Sequence, residues 1–165
     1  MSKTAENLMA AFAGESQANR KYLAYAKKAE KEGYSQVAKL FRAAADAETI
    51  HAHAHLRNAG KIGTTLENLK DAIAGETHEF KNMYPEMIKD AEAEGEKAAH
   101  RFFSYANKAE EVHANLYQKM MDTIDNPVET DYYNCSVCGY THEGPFKDAK
   151  CPICNAAPSA FYKVD

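Results

Sequence analysis

Glu48-Thr49-Ile50-His51 and Glu110-Glu111-Val112-His113 are two copies of one pattern, Glu-x-x-His, each set inside a long helix-forming run. On a helix, residues three apart share a face, so each copy presents a carboxylate and an imidazole together. Each also lies on the apolar stripe of its run. Val37, Phe41, Ala44, Glu48, His51 and His55 step by 4, 3, 4, 3 and 4 residues, and Ala99, Phe103, Ala106, Glu110, His113 and Tyr117 repeat the same steps. A stripe of that spacing faces a core. A carboxylate there is costly unless something positive meets it.

Working outward, residues 4–32 read as a first helix with Thr4 as its N-cap, its stripe running through Leu8, Phe12, Glu15, Asn19 and Tyr22. Gly33 interrupts it, and a second helix runs from about Ser35 to Asn58. After a connection at 59–63, a third helix starts near Thr64, carries Glu76 on its apolar face, contains Pro85 and ends at Gly95. A fourth runs to about Ile124. The helices form an internal repeat. Ala13-Gly14-Glu15 matches Ala74-Gly75-Glu76 at an offset of 61, and from Tyr22/Tyr84 through His51/His113 the offset is 62. Glu15 lies 18 residues before Gly33 and Glu48 lies 15 after it, so in an antiparallel hairpin the two are level to within ~5 Å. The same holds for Glu76 and Glu110.

The change of offset places one added residue between Glu76 and Tyr84. Helices absorb such insertions as π turns, often at functional sites, so a π turn is predicted near Glu79. Glu79 has no counterpart in the first copy, where Ala18 stands.

One Glu from each of two helices and a Glu-x-x-His from each of two others form the di-metal carboxylate arrangement of ferritin-like bundles. The donor set suits two first-row ions, iron foremost. Four carboxylates balance two ferrous ions. A fifth, Glu79, balances two ferric ions with a hydroxide bridge. Glu79 and His51 are therefore candidates to exchange as ligands on redox change. Tyr22 and Tyr84, about two turns from Glu15 and Glu76, are candidates to hydrogen-bond the site carboxylates, or else are core tyrosines. His55 is read as a neighbour or surface residue, His78 as a neighbour, and His53, His100 and His142 as solvated.

Cys135-x-x-Cys138-Gly139-Tyr140 and Cys151-Pro152-x-Cys154 lie beyond Asn126-Pro127. Two such knuckles bind one tetrahedral ion, zinc or iron. Tyr133, Tyr140, Phe146 and Phe161 are available to cover it, and so small a module depends on its metal to fold. The predicted organisation is all-α, a four-helix ferritin-like bundle over 1–126 (hairpins 4–58 and 64–125), followed by a rubredoxin-like metal-binding domain over 131–165. The 165 residues carry a net charge of −4 with no basic stripe, which gives no reason to expect a nucleic-acid partner. No apolar run approaches the ~18 residues of a membrane span. Cysteines kept as metal ligands fit a reducing cytoplasm.

Gly14-Glu15, Glu48-x-x-His51, Gly75-Glu76-Thr77-His78-Glu79, Met83-Tyr84-Pro85, Glu110-x-x-His113 and the two knuckles together resemble the rubrerythrins along essentially the whole chain. The resemblance implies that Glu15, Glu48, His51, Glu76, Glu79, Glu110 and His113 ligate two irons, with Glu48 and Glu110 bridging. It implies that Cys135, Cys138, Cys151 and Cys154 hold a third iron, and that Glu79 and His51 do exchange. The implied activity is reduction of hydrogen peroxide to water, in oxidative-stress defence. Electrons would enter through the Fe(Cys)4 centre from an external donor such as rubredoxin and its reductase, linked to NAD(P)H through separate carriers. The tail of one subunit would serve the site of its partner. The competing reading is a ferroxidase or iron-handling protein whose tail is a structural zinc ribbon. A third is a binding module whose zinc-ribbon tail docks a partner, and the completeness of the ligand set argues against it.

The connection at 59–63 is short. A crossover within one bundle must climb nearly ~30 Å, and five residues reach less than ~20 Å. The expectation is a homodimer in which the hairpins are exchanged between chains, the alternative being a simple up-down-up-down bundle.

Overall fold

The turns that close the two hairpins are built alike, and glycine is the reason. In the computed structural model, which describes residues 2–164, α1 spans Lys3–Lys31 and α2 spans Ser35–Asn58. Between them Gly33 takes φ +85°, its N–H donates to Glu30 O, and the N–H of Tyr34 donates to Ala29 O. That pair of bonds satisfies the last carbonyls of the helix with a left-handed residue at its end. Gly95 repeats it at φ +74°, with its N–H on Glu92 O and that of Glu96 on Ala91 O.

The structure divides into residues 1–63 and 64–165. In the first unit α1 packs along α2. The seam is made of alanines: Ala26 and Ala29 on one side, and Ala38, Ala45 and Ala52 on the other, are buried. Asn19 fastens it, its amide donating to Ala45 O at 2.7 Å and Thr49 Oγ1 at 2.8 Å. The N-cap of α1 is Ser2, whose hydroxyl accepts from Ala5 N–H at 3.3 Å. Thr4 lies inside the helix, two residues too late for the extended backbone that a cap needs.

In the second unit α3 (Thr65–His78), a π turn (Glu79–Met83) and α4 (Tyr84–Ala93) together form the third helix of the sequence reading. They pack against α5, Lys97–Asp122. The π turn falls where the inserted residue predicts it, with Tyr84 N–H donating to Glu79 O. Pro85 follows in the first turn of α4, where its missing N–H costs little. α3 starts at a capping box: Thr64 Oγ1 accepts from Glu67 N–H, and Glu67 Oε2 accepts from Thr64 N–H at 2.7 Å. That backbone bond holds the Glu67 carboxyl below its usual range. The Thr64-x-x-Glu67 signal stands in the sequence.

The tail forms a three-stranded antiparallel sheet in the order β2-β1-β3, with β1 Tyr132–Cys135, β2 Thr141–Glu143 and β3 Phe161–Lys163. Phe146 stacks on Phe161 with ring centroids 3.7 Å apart, and Tyr140 meets Phe161 edge-on. His142, expected in solvent, belongs to this cluster. Its ring meets Phe146 at 5.3 Å, and its Nδ1 is 3.3 Å from the Tyr140 hydroxyl. Strand alternation turns His142 toward this aromatic cover. Among the described residues no helix is long and apolar enough to cross a membrane.

Candidate metal centres

Each hairpin gathers three donors whose ligand atoms lie within 4.8 Å of one another: Glu15, Glu48 and His51 in the first unit, and Glu76, Glu110 and His113 in the second. The helical spacing sets the geometry. His51 Nδ1 is 2.9 Å from Glu48 Oε2 and 3.9 Å from Glu15 Oε1. His113 Nδ1 is 2.7 Å from Glu110 Oε2 and 3.7 Å from Glu76 Oε2. The repeat extends to the rings beside them. Tyr22 lies 6.1 Å from Phe41, and Tyr84 lies 6.2 Å from Phe103.

The second half-site is short of positive charge. Burial, then the hydrogen bond with Glu110 and its charge, push the Glu76 carboxyl up to about 7. Burial, then the charge on Glu110, raise Glu79. The hydrogen bond between Glu110 and His113 lowers the first and raises the second. Carboxylates crowded in this way are the donor set that a di-cation stabilises. Glu79 begins the π turn and feels the charge of Glu110, but it stands outside the three-donor cluster. Burial and the charges of Glu110, Glu79 and Glu76 raise the Tyr84 hydroxyl. Tyr22 packs with Tyr25 and Phe41.

The four cysteines are free thiols gathered in one cluster. Cys135 and Cys154 sulfurs are 3.7 Å apart, and those of Cys138 and Cys151 are 3.6 Å apart. The edge of a tetrahedron with metal–sulfur bonds of ~2.3 Å is ~3.8 Å, so the cage fits one ion. Backbone N–H groups of Val137 and Cys138 point at Cys135 sulfur, that of Tyr140 at Cys138, and that of Ala156 at Cys154. Such donors stabilise thiolates. Burial, and then the contacts with Cys154, Cys151 and Cys135, push the Cys138 thiol up, a cost that a bound cation removes.

Sequence reasoning missed the junction between the two kinds of site. Tyr105, on α5, packs against the cysteine cluster. His113 turns its second nitrogen to the tail, Nε2 lying 3.1 Å from Gly139 O and 3.0 Å from Thr141 Oγ1. Gly139 follows Cys138 directly. Within the chain the tail therefore lies against His113 and its half-site. The physical reason is length: the nine residues 123–131 extend to about 30 Å, enough to return from the end of α5 to His113.

Comparison with known proteins agrees with both parts. Residues 6–121 match the rubrerythrin family, and residues 133–162 match the rubrerythrin rubredoxin-like domain. Nigerythrin of Nitratidesulfovibrio vulgaris is 39% identical over 92% of this chain and 81% of its own. Rubrerythrin-2 of Clostridium acetobutylicum is 37% identical over 96% of this chain and 95% of its own. The solved structure of nigerythrin in a partially reduced state aligns with a TM-score of 0.60 at 36% identity, over 99% of this chain and 88% of that one. A fully reduced, all-ferrous nigerythrin structure aligns equally well. Donor chemistry, fold and kinship converge on iron as the metal of both kinds of site, two ions with the carboxylates and histidines and one with the cysteines. The chain belongs to the rubrerythrin family, iron-dependent oxidoreductases of oxidative-stress defence.

Proposed function

We propose that this protein is a non-haem di-iron peroxidase that reduces hydrogen peroxide to water, with electrons supplied through its own Fe(Cys)4 centre. The observation that carries the proposal is His113. One ring nitrogen faces Glu110 and Glu76 while the other touches the knuckle carbonyl beside Cys138. A single imidazole thus joins the carboxylate cluster to the cysteine module.

In this reading Glu15, Glu48, His51, Glu76, Glu79, Glu110 and His113 would hold two irons. Cys135, Cys138, Cys151 and Cys154 hold the third. The paired irons supply Lewis acidity and two electrons for cleaving the O–O bond. The balance is one peroxide, two electrons and two protons to two waters. Glu79 and His51 would exchange as ligands when the redox state changes, and a carboxylate or Tyr84 would hand on protons. The donors that refill the centre are external carriers such as rubredoxin and its reductase, drawing on NAD(P)H in a reducing cytoplasm.

The unit of function is a homodimer with exchanged hairpins: α1 and α2 of one protomer meet the second unit of the other. The short 59–63 connection supports this. So does the composition of the helical seams, where the buried side chains are alanines while Val37, Tyr25, Phe102 and Met87 stay exposed. Each hairpin needs a second apolar face to cover its stripe. The tail then serves a site that its own chain half builds and the partner completes.

The test is turnover with NADH, a rubredoxin reductase and rubredoxin. The reading predicts one NADH oxidised per peroxide and no release of O2. Consumption of Fe(II) with O2 in place of that stoichiometry, over a tail holding zinc, would establish the ferroxidase alternative.

A further inference from the structure

Asn134 and Thr141 face each other across the β1–β2 pair. Both are half-buried, and the Thr141 hydroxyl donates to Asn134 Oδ1 at 2.9 Å. A hydroxyl has one proton. With that proton committed to Asn134, Thr141 Oγ1 can only accept from His113, 3.0 Å away. Gly139 O, at 3.1 Å from the same nitrogen, is also an acceptor only. Two acceptors on one ring nitrogen require that nitrogen to carry hydrogen. The remaining nitrogen, Nδ1, is the one that faces Glu76 and Glu110.

We propose that Thr141, oriented by Asn134, is a positioning residue that holds His113 as its Nε2–H form and thereby couples docking of the tail to metal binding at Glu76, Glu110 and His113. The inference rests on His113 being a ligand, as argued above. A metal on Nδ1 demands the same Nε2–H that the tail demands, so each event favours the other, and by linkage the coupling is reciprocal. His51 is the internal contrast. It has the same Nδ1 geometry, but its ring is 55% exposed against 24% for His113, and its bond to protein is through Nδ1 to Glu48.

The experiment uses the full-length chain loaded with zinc, which is diamagnetic, labelled with 15N. Nitrogen shifts report whether zinc sits on Nδ1, and hydrogen exchange of each Nε2–H reports its protection. The inference predicts that the His113 Nε2–H is protected well beyond that of His51. Thr141→Val speeds its exchange at least tenfold and leaves His51 unchanged, while Thr141→Ser behaves as the parent. In the iron-loaded chain, refilling of the bundle from the reduced tail slows about tenfold in Thr141→Val, in line with the loss of an outer hydrogen bond to a ligating histidine. A Thr141→Val chain with the parent's exchange rate at His113 Nε2–H would overturn the inference. A His113 Nδ1 resonance that zinc does not move would overturn the ligand reading itself.

Discussion

The two half-sites carry the same donors at nearly the same distances, yet they sit in different surroundings. Glu15, Glu48 and His51 form an open cluster with His51 more than half exposed, while Glu76, Glu110 and His113 lie under the tail. The second half also has the π turn and its extra carboxylate, Glu79. Repetition of a hairpin fixes the donors, because helical spacing alone delivers them. What differs was added later in the chain or by one inserted residue. On the proposed function, the half holding His113 is the one that would receive electrons, and the half holding His51 is the one that would let go of a ligand.

The strongest way to break this comparison is to disable the halves on different chains. Glu48→Ala and Glu110→Ala each abolish peroxide turnover alone, since each removes a carboxylate that would hold the irons on the proposed function. Co-refolded in equal amounts, they recover about a quarter of the parent activity. With exchanged hairpins half of the random dimers are mixed, and each mixed dimer has one intact site of two. Turnover that stays at background would mean that each site is built from one chain.

The tail can be broken without touching either half. Cys138→Ser removes a thiolate from a module that relies on its metal to fold. The outcome to look for is loss of ferric–thiolate absorption with iron retained by the bundle. Peroxide would still oxidise the reduced bundle once, and refilling by rubredoxin would stop. Continued multiple turnover at the parent rate would show that electrons bypass the tail.

Smaller effects sharpen how each hairpin is held. Asn19→Ala removes two hydrogen bonds across the α1–α2 seam and costs about 1–2 kcal/mol, read as a lowered midpoint in denaturant. Both bonds lie within the first unit, so the loss is confined to it. Gly33→Ala, at a backbone φ of +85°, costs about 1 kcal/mol, and Gly95→Ala costs a similar amount because the two turns are alike.

Much of this was legible in the chain. Glu-x-x-His on an apolar stripe, duplicated with the lone glutamates at matching height, announces the donors. The slip from an offset of 61 to 62 announces the π turn, because a helix must absorb an extra residue somewhere between Glu76 and Tyr84. The knuckle spacing announces the thiolate cage. Local details failed where two polar residues compete for one role, as with Ser2 and Thr4 at the first cap. His142 escaped because a short strand carries too little pattern to show which side is covered. The contact of His113 with Gly139 and Thr141 left no signal at all. It joins a helix to a separate module across 26 and 28 residues, and no periodicity records which outer face of α5 a later domain will cover.

The central claim is that electrons held by the cysteine centre reach peroxide through the protein. Its most direct test is the visible spectrum of the anaerobically reduced, iron-replete full-length chain, followed on a millisecond scale after one equivalent of hydrogen peroxide. The account predicts rapid return of ferric–thiolate absorption. A tail that stays bleached while the bundle is oxidised would contradict it.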